Sequence, residues 1–130
     1  MDYRTLLDMA IETTKYSYAP YSKVTVGAAL LTQSGKVYTG VNVENASFGA
    51  TNCAERTAIF KAVSEGEHKF KAIAVASNLD KPISPCGICR QVMVEFGTDI
   101  DVILGDAQNY EVYKITALLP VGFYKTELLD

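Results

Sequence analysis

The three cysteines of this chain constrain its fold more than any other sequence feature. Cys53 begins one predicted helix, while Cys86 and Cys89 lie three residues apart at the start of another, which puts their sulfurs on one face. The N-terminus of a helix carries partial positive charge and therefore favours thiolates. If all three sulfurs bind one metal ion, the fold must bring two helix N-termini together. Such convergence occurs at the carboxyl ends of the strands in an open α/β sheet.

Hydrophobic patterning predicts an α-β-β-α-β-α-β-β order, which permits this arrangement. Asp2 is predicted to cap the first helix, and Pro85 to lie in the first turn of the third. Gly66 and Gly97 are predicted to end the second and third helices. We expect helices over residues 2–17, 53–65 and 86–96, strands over 24–32, 37–43, 71–77, 100–104 and 111–115, and a short helical piece and a tail from 116. The order indicates one α/β domain, 1–130, in which helices cover a single sheet and the middle part forms parallel crossovers.

Charge and composition exclude several classes of function. The net charge is −3 and the sequence shows no basic cluster, whereas nucleic-acid binders need Lys and Arg to replace phosphate counterions. No apolar run approaches the ~20 residues of a membrane span, and residues 1–4 lack the features of a secretory signal. We therefore expect no nucleic-acid partner, no membrane partner and a cytoplasmic location. An odd number of cysteines argues against disulfides and for metal binding or redox chemistry.

The number of available ligands favours a catalytic metal site. A structural zinc site has four protein ligands, whereas a catalytic site has three and leaves one position open. His68 lies beyond the far end of the helix that Cys53 begins. At about 1.5 Å per residue, it is roughly 20 Å from Cys53, which is too far for it to bind the same ion. An acidic side chain remains the alternative to water as the fourth ligand, and buried free or redox-active thiols remain the alternative to a metal site.

Two charged residues follow Cys53 at the start of its helix. Glu55 can approach the ion without binding it, which is the position that a general acid or base needs. Its alternative is an exposed carboxylate that stabilises a helix start. Zinc with three thiolates has a formal charge of −1, so a nearby donor should offset it. Arg56 is the candidate donor to the ligand sulfurs, and a surface ion pair is the alternative.

The residues Cys53-Ala54-Glu55 and Pro85-Cys86-Gly87-Ile88-Cys89 match the pattern of the zinc deaminases. Over nearly its whole length the chain resembles the cytidine deaminases of the small homotetrameric class. The segments that carry the resemblance are 19–23, 26–30, 40–46, 53–58, 84–91 and 118–120.

The resemblance implies a three-layer α-β-α domain with a five-stranded mixed sheet. It also implies one Zn²⁺ per subunit, bound by Cys53, Cys86 and Cys89, with Glu55 as the proton shuttle. The implied reaction is the hydrolytic deamination of cytidine and deoxycytidine to uridine and deoxyuridine, with release of ammonia, in pyrimidine salvage. A homotetramer with shared active sites is implied as well.

The resemblance further assigns residues that contact the nucleoside. Asn42 and Glu44 match the positions that hold the ribose hydroxyls, and the backbone of Ala54 would meet the pyrimidine. Phe123 resembles the C-terminal phenylalanine that reaches a neighbouring subunit's site, and Phe48 resembles an aromatic position near a subunit boundary. For Asn42 and Glu44 the alternative is a capped loop, and for the two phenylalanines it is ordinary interface or core packing.

One departure from the family concerns the substrate. The family usually has Phe after its Tyr-Ser-Lys run, whereas this chain has Val24. Loss of an aromatic face should weaken the grip on the substrate. Val24 thus bears on substrate preference more than on the type of reaction. Two rival functions remain beside cytidine deamination: a zinc deaminase acting on another cytosine-like or modified nucleoside, and a structural zinc-binding module, which would need a fourth protein ligand.

Overall fold

A computed structural model of the chain describes residues 1–129. Its five strands form one mixed sheet in the order β2-β1-β3-β4-β5. The strands are β1 (Val26–Thr32), β2 (Val37–Val41), β3 (Phe70–Ser77), β4 (Asp101–Gly105) and β5 (Tyr110–Lys114). The helices are α1 (Tyr3–Thr13), α2 (Ala54–Ser64), α3 (Gly87–Glu95), α4 (Ile115–Leu118) and α5 (Thr126–Leu129). Within residues 1–129, no helix is long and apolar enough to cross a membrane.

The direction of the strands explains where the functional residues meet. β1 lies between β2 and β3 and is antiparallel to both, so that Ala28 pairs with Gly40 on one side and Val75 on the other. β4 is parallel to β3, and β5 is antiparallel to β4. Therefore β2, β3 and β4 all run the same way. α2 connects β2 to β3 and α3 connects β3 to β4, which confirms the predicted parallel crossovers. The starts of both helices therefore lie at the same end of the sheet, next to the carboxyl ends of β2 and β3.

Helices cover both faces of the sheet. Alternate residues of β1 face opposite ways, because side chains alternate along a strand: Ala28 and Leu30 pack with α2 and α3, and Ala29 and Leu31 pack with α1. In β3 the residues toward α1 are the small Ala72, Ala74 and Ala76, all buried. These two buried clusters make the three-layer α-β-α architecture that the resemblance implies.

The predicted element bounds hold to within a few residues, and the differences have local causes. Asp2 Oδ1 accepts a hydrogen bond from the backbone N–H of Thr5 at 2.8 Å, as expected of a cap. α1 stops at Thr13 instead of continuing to residue 17, because Thr14 Oγ1 donates to the carbonyl of Ile11 and the chain tightens into a 3₁₀ turn over Thr14–Tyr16.

Where β1 begins and β2 ends, a side chain takes over one of the hydrogen bonds between the two strands. β1 begins at Val26 instead of residue 24 and β2 ends at Val41 instead of residue 43. The reason is Asn42, whose side-chain oxygen accepts the N–H of Val26 at 2.9 Å. The first turn of α3 does not include Pro85 as predicted, since Cys86 is the N-cap and the helix begins at Gly87.

Candidate metal centre

The starts of α2 and α3 bring the three cysteines together. Cys53 is the N-cap of α2 and Cys86 the N-cap of α3, with Cys89 in the first turn of α3. All three sulfurs lie within 4.8 Å of one another, and the Sγ atoms of Cys53 and Cys86 are 3.7 Å apart. Among residues 1–129 these cysteines are the only group of three or more His, Cys, Asp or Glu residues close enough to share one ion. His68 is exposed, lies beside Phe96 at a ring distance of 6.4 Å, and does not belong to the group.

The charges at the sulfurs fit a soft dication. A hydrogen bond from Cys89 and another from Arg56 lower the pKa of Cys53 to about 5, against the opposing effect of burial. The same Cys53–Cys89 contact, together with burial, raises the pKa of Cys89 above its ordinary value. Three thiolates this close repel one another, and a cation between them would relieve that repulsion. Zinc is among the metals that prefer thiolate ligands, so the donor set fits zinc.

Arg56 lies against the ligand sulfurs. Its Nη2 donates to Cys53 Sγ at 3.2 Å, and the thiolates raise the pKa of the guanidinium. Its Nε is buried and has no hydrogen-bond partner among the described residues. The structure therefore places this positive charge beside the cysteines instead of in a surface ion pair.

Glu55 is a buried carboxyl group next to the cysteines. Its residue is only 4% exposed, and burial, with a contribution from the charge of Cys53, raises the pKa of its carboxyl to about 7. It lines a cavity of about 190 Å³ together with Cys53, Cys86, Ala54 and Asn42. The exposed-carboxylate alternative for Glu55 does not fit this burial. A carboxyl with a pKa near neutrality, facing a cavity, can both accept and donate a proton.

The side chain of Asn42 is held in one orientation at the edge of this cavity. Its Oδ1 accepts from the N–H of Val26 and from Ser17 Oγ, and its Nδ2 donates to the carbonyl of Val24 at 2.8 Å. These contacts use one of the two Nδ2 hydrogens, so the second remains for a ligand in the cavity.

The carboxylate of Glu44 holds the neighbouring turn at Tyr21 and Ser22 by hydrogen bonds. Its Oε1 accepts from the N–H groups of Tyr21 at 2.9 Å and Ser22 at 3.1 Å, and its Oε2 accepts from Ser22 Oγ. The hydrogen bond from the Ser22 side chain is the main reason that the pKa of Glu44 lies below its ordinary value. Glu44 lines a second cavity, of about 420 Å³, with Phe48. Thr51 lines both cavities.

The two predicted aromatic contacts lie outside the Glu55 cavity. Phe48 is 79% exposed and Phe123 is 57% exposed, and neither lines that cavity. Sequence reasoning missed other lining residues, namely Val26, Thr51, Asn52, Ile83 and Ser84. Except for Val26 in β1, these residues lie just before Cys53 or Cys86 in the sequence, and this proximity was the available signal.

Comparison with known proteins agrees with this geometry. A family model described as the cytidine and deoxycytidylate deaminase zinc-binding region matches residues 1–105. The chain is 48% identical to a cytidine deaminase of Halalkalibacterium halodurans over 100% of both chains. It is 58% identical to a probable cytidine deaminase of Dictyostelium discoideum, over 93% of this chain and 82% of the relative.

Solved structures show the same likeness. A cytidine deaminase from Burkholderia pseudomallei superposes with a TM-score of 0.90 at 47% identity, covering 95% of this chain and 100% of that one. A cytidine deaminase from Mycobacterium tuberculosis gives a TM-score of 0.83 at 35% identity, covering 95% and 98%.

Proposed function

The chain belongs to the cytidine and deoxycytidylate deaminase family, and from that premise we propose how its residues divide the work of a zinc-dependent hydrolysis. The enzyme is a cytidine deaminase, which converts cytidine and deoxycytidine to uridine and deoxyuridine and releases ammonia. One observation carries the proposed division: a buried carboxyl, Glu55, lines the same cavity as the sulfurs of Cys53 and Cys86.

Cys53, Cys86 and Cys89 would hold one zinc ion, which would supply the Lewis acidity that makes water a nucleophile at neutral pH. Glu55 takes a proton from the attacking water as its oxygen adds to C4 of the cytosine ring. It delivers this proton to N3, and it then takes the proton of the hydroxyl group now bound to C4 and gives it to the 4-amino group, which departs as ammonia as the C4 carbonyl forms. One buried carboxyl can perform both transfers because it faces the cavity and is shielded from bulk water.

The remaining residues bind and orient the nucleoside. The spare amide hydrogen of Asn42 and the carboxylate of Glu44 bind the ribose hydroxyls, and the backbone of Ala54 meets the pyrimidine. Ala54 and Asn42 line the Glu55 cavity, which supports these roles. The carboxylate of Glu44 already accepts hydrogen bonds from Tyr21 and Ser22. In this proposal it accepts a further hydrogen bond from a ribose hydroxyl while it keeps these contacts.

The finer biological setting belongs to the same proposal. We assign the enzyme to pyrimidine salvage in the cytoplasm and to a homotetramer in which Phe48 lies near a subunit boundary and Phe123 reaches a neighbouring site. Both rings are more than half exposed and are therefore accessible to another subunit. A structural zinc module is disfavoured, because it requires a fourth protein ligand and the cysteine group of residues 1–129 has three members.

The substitution Glu55→Gln tests the assignment of the proton carrier. Gln keeps the shape but cannot accept a proton, so we expect ammonia release from cytidine to fall about 10²–10⁴-fold while zinc per chain stays unchanged. Deoxycytidine and cytosine, assayed in parallel, report the dependence on the sugar. Glu95→Gln, at the exposed end of α3, is the matched control. Activity of Glu55→Gln within tenfold of the unchanged enzyme would refute the role.

A further inference from the structure

The helix that carries two of the cysteines also holds the C-terminal part of the chain. Arg90 follows Cys89 directly, and its Nε donates to the carbonyl of Pro85 at 2.9 Å while its Nη1 donates to the carbonyl of Leu118 at 2.6 Å. The next residue, Gln91, donates from Nε2 to the carbonyl of Phe123 at 2.6 Å. Two consecutive side chains of α3 thus bond to the backbone on both sides of the turn between residues 118 and 123.

This turn is strongly determined by its surroundings. Val121 has a φ of 54°, which a β-branched residue adopts only where neighbouring contacts enforce it. A Cβ on Gly122 would lie 2.8 Å from Leu119 Cδ2, so the turn packs closely against the Leu119 side chain. Leu119 and Tyr124 pack against the large core cluster on the α2 and α3 face of the sheet. The backbone of Phe123 is therefore held while its side chain is more than half exposed.

We propose that Gln91 is a positioning residue that fixes the C-terminal segment, residues 119–124, against α3 and so sets where the ring of Phe123 lies. Arg90 holds the start of the same segment. Gln91 lies two residues after Cys89 on α3, so its hydrogen bond to Phe123 fixes the position of the Phe123 backbone relative to the cysteines of that helix. The consequence for catalysis rests on the proposed function, in which Phe123 reaches the nucleoside of a neighbouring subunit.

Gln91→Met tests the proposal, since Met keeps the length of the side chain and removes the donor. The chain has no tryptophan, so Phe123→Trp introduces a single tryptophan at the end of the link, which can be excited selectively over the tyrosines. In the Phe123→Trp background, we expect Gln91→Met to lower the steady-state anisotropy of the tryptophan in the zinc-loaded protein and to increase its quenching by acrylamide. Gln108→Met, in the exposed β4–β5 turn, is the matched control and should change neither signal.

Kinetics on cytidine give a second readout. Loss of one hydrogen bond of ordinary strength should raise the KM about fivefold, with kcat within about twofold and zinc per chain unchanged. In a Phe123→Ala background the same Gln91→Met change should have no effect on KM, because Gln91 acts through the ring. If Gln91→Met unfolds the protein, Gln91→Glu, which keeps the shape and cannot donate as a carboxylate, replaces it.

The outcomes separate this inference from the proposed function. Unchanged anisotropy and quenching overturn the positioning role, whatever the kinetics show. An equal increase of KM in both backgrounds also overturns it, since Gln91 would then act elsewhere. A Phe123→Ala enzyme with unchanged KM refutes instead the proposed contact of Phe123 with the nucleoside, and the fluorescence readout then decides the positioning role alone.

Discussion

At the residue scale, the local charge balance of the cysteine cluster depends on Arg56. Three thiolates around one zinc ion leave a net negative charge, and the guanidinium lies 3.2 Å from Cys53 Sγ. A donor to a ligand sulfur adjusts both the basicity of that ligand and the strength with which it binds the metal. Arg56 is thus placed to stabilise the loaded site without binding the ion.

We expect Arg56→Ala to weaken zinc binding or activity about 10–100-fold, the range found for residues that support metal ligands. Competition with a chromophoric chelator measures the zinc affinity, and ammonia release measures turnover. Arg4→Ala provides the control, since Arg4 pairs with Asp8 on α1. Unchanged affinity together with unchanged turnover would show that the contact with Cys53 has no functional weight.

At the element scale, two glycines let helices approach the sheet closely. A Cβ at Gly27 would lie 2.1 Å from the carbonyl oxygen of Ala10 in α1. A Cβ at Gly40 would lie 2.5 Å from both the carbonyl oxygen of Ala54 and the nitrogen of Ala58 in α2. Because backbone atoms make these contacts, no side-chain rotation can relieve a clash. Gly40 therefore determines how near α2 lies to β2, and Gly27 determines how near α1 lies to β1.

Gly40→Ala should push the first turn of α2 away from β2 and move Cys53 and Glu55 with it. We expect a loss of about 1–3 kcal/mol in the free energy of unfolding, as for other overpacked sites, and a lower zinc affinity. Urea unfolding and chelator competition measure the two effects. Gly49→Ala is the comparison, since a Cβ there has no atom within 4 Å. Identical unfolding midpoints for both variants would contradict the close-approach argument.

At the scale of the whole molecule, a partly exposed group of ion pairs and a hydrogen bond joins α1 to strands β4 and β5. Asp101, in β4, accepts from the hydroxyl of Tyr3 in α1 at 2.5 Å and pairs with Lys114 in β5 at 2.7 Å. Lys114 also pairs with Asp99 at 2.8 Å. Burial acts to raise the pKa of Asp101, but the hydrogen bonds from Lys114 and Tyr3 outweigh it and hold that pKa below its ordinary value. Burial and the bond to Asp101 raise the pKa of Tyr3 to about 12.

This pKa shift predicts the direction of acid sensitivity. The pKa of Asp101 is lower in the folded state than its ordinary value of 3.8, so the ionised carboxylate stabilises the fold at pH values above 3.8. This stabilisation is lost as the pH falls through the pKa of the folded state. Asp101→Asn should therefore be less stable than the unchanged protein at about pH 7, with the difference shrinking below about pH 4. Urea unfolding at both pH values tests this, with the exposed Asp80→Asn as control. A difference that does not vary with pH would contradict the assignment.

The order of elements and the main chemical groups could be predicted from the sequence, because both depend on local patterns. Apolar periodicity identified all five strands and the three long helices, and turn residues marked their ends to within a few positions. The cysteines and Glu55 could be chosen as candidates because they stand at helix starts in a recognisable spacing. Helix α5 was missed, since its few residues after a run of loop carry no periodic signal.

The tertiary structure alone decided how these elements meet. Local periodicity shows which side chains are buried but not which strands pair, so the insertion of β1 between β2 and β3 could not be foreseen. The same holds for the amide of Asn42, oriented by Ser17 and Val26, and for the hydrogen bond from Gln91 to Phe123. Such contacts join residues far apart in the chain, and their geometry exists only once the sheet has formed and the helices have packed on it.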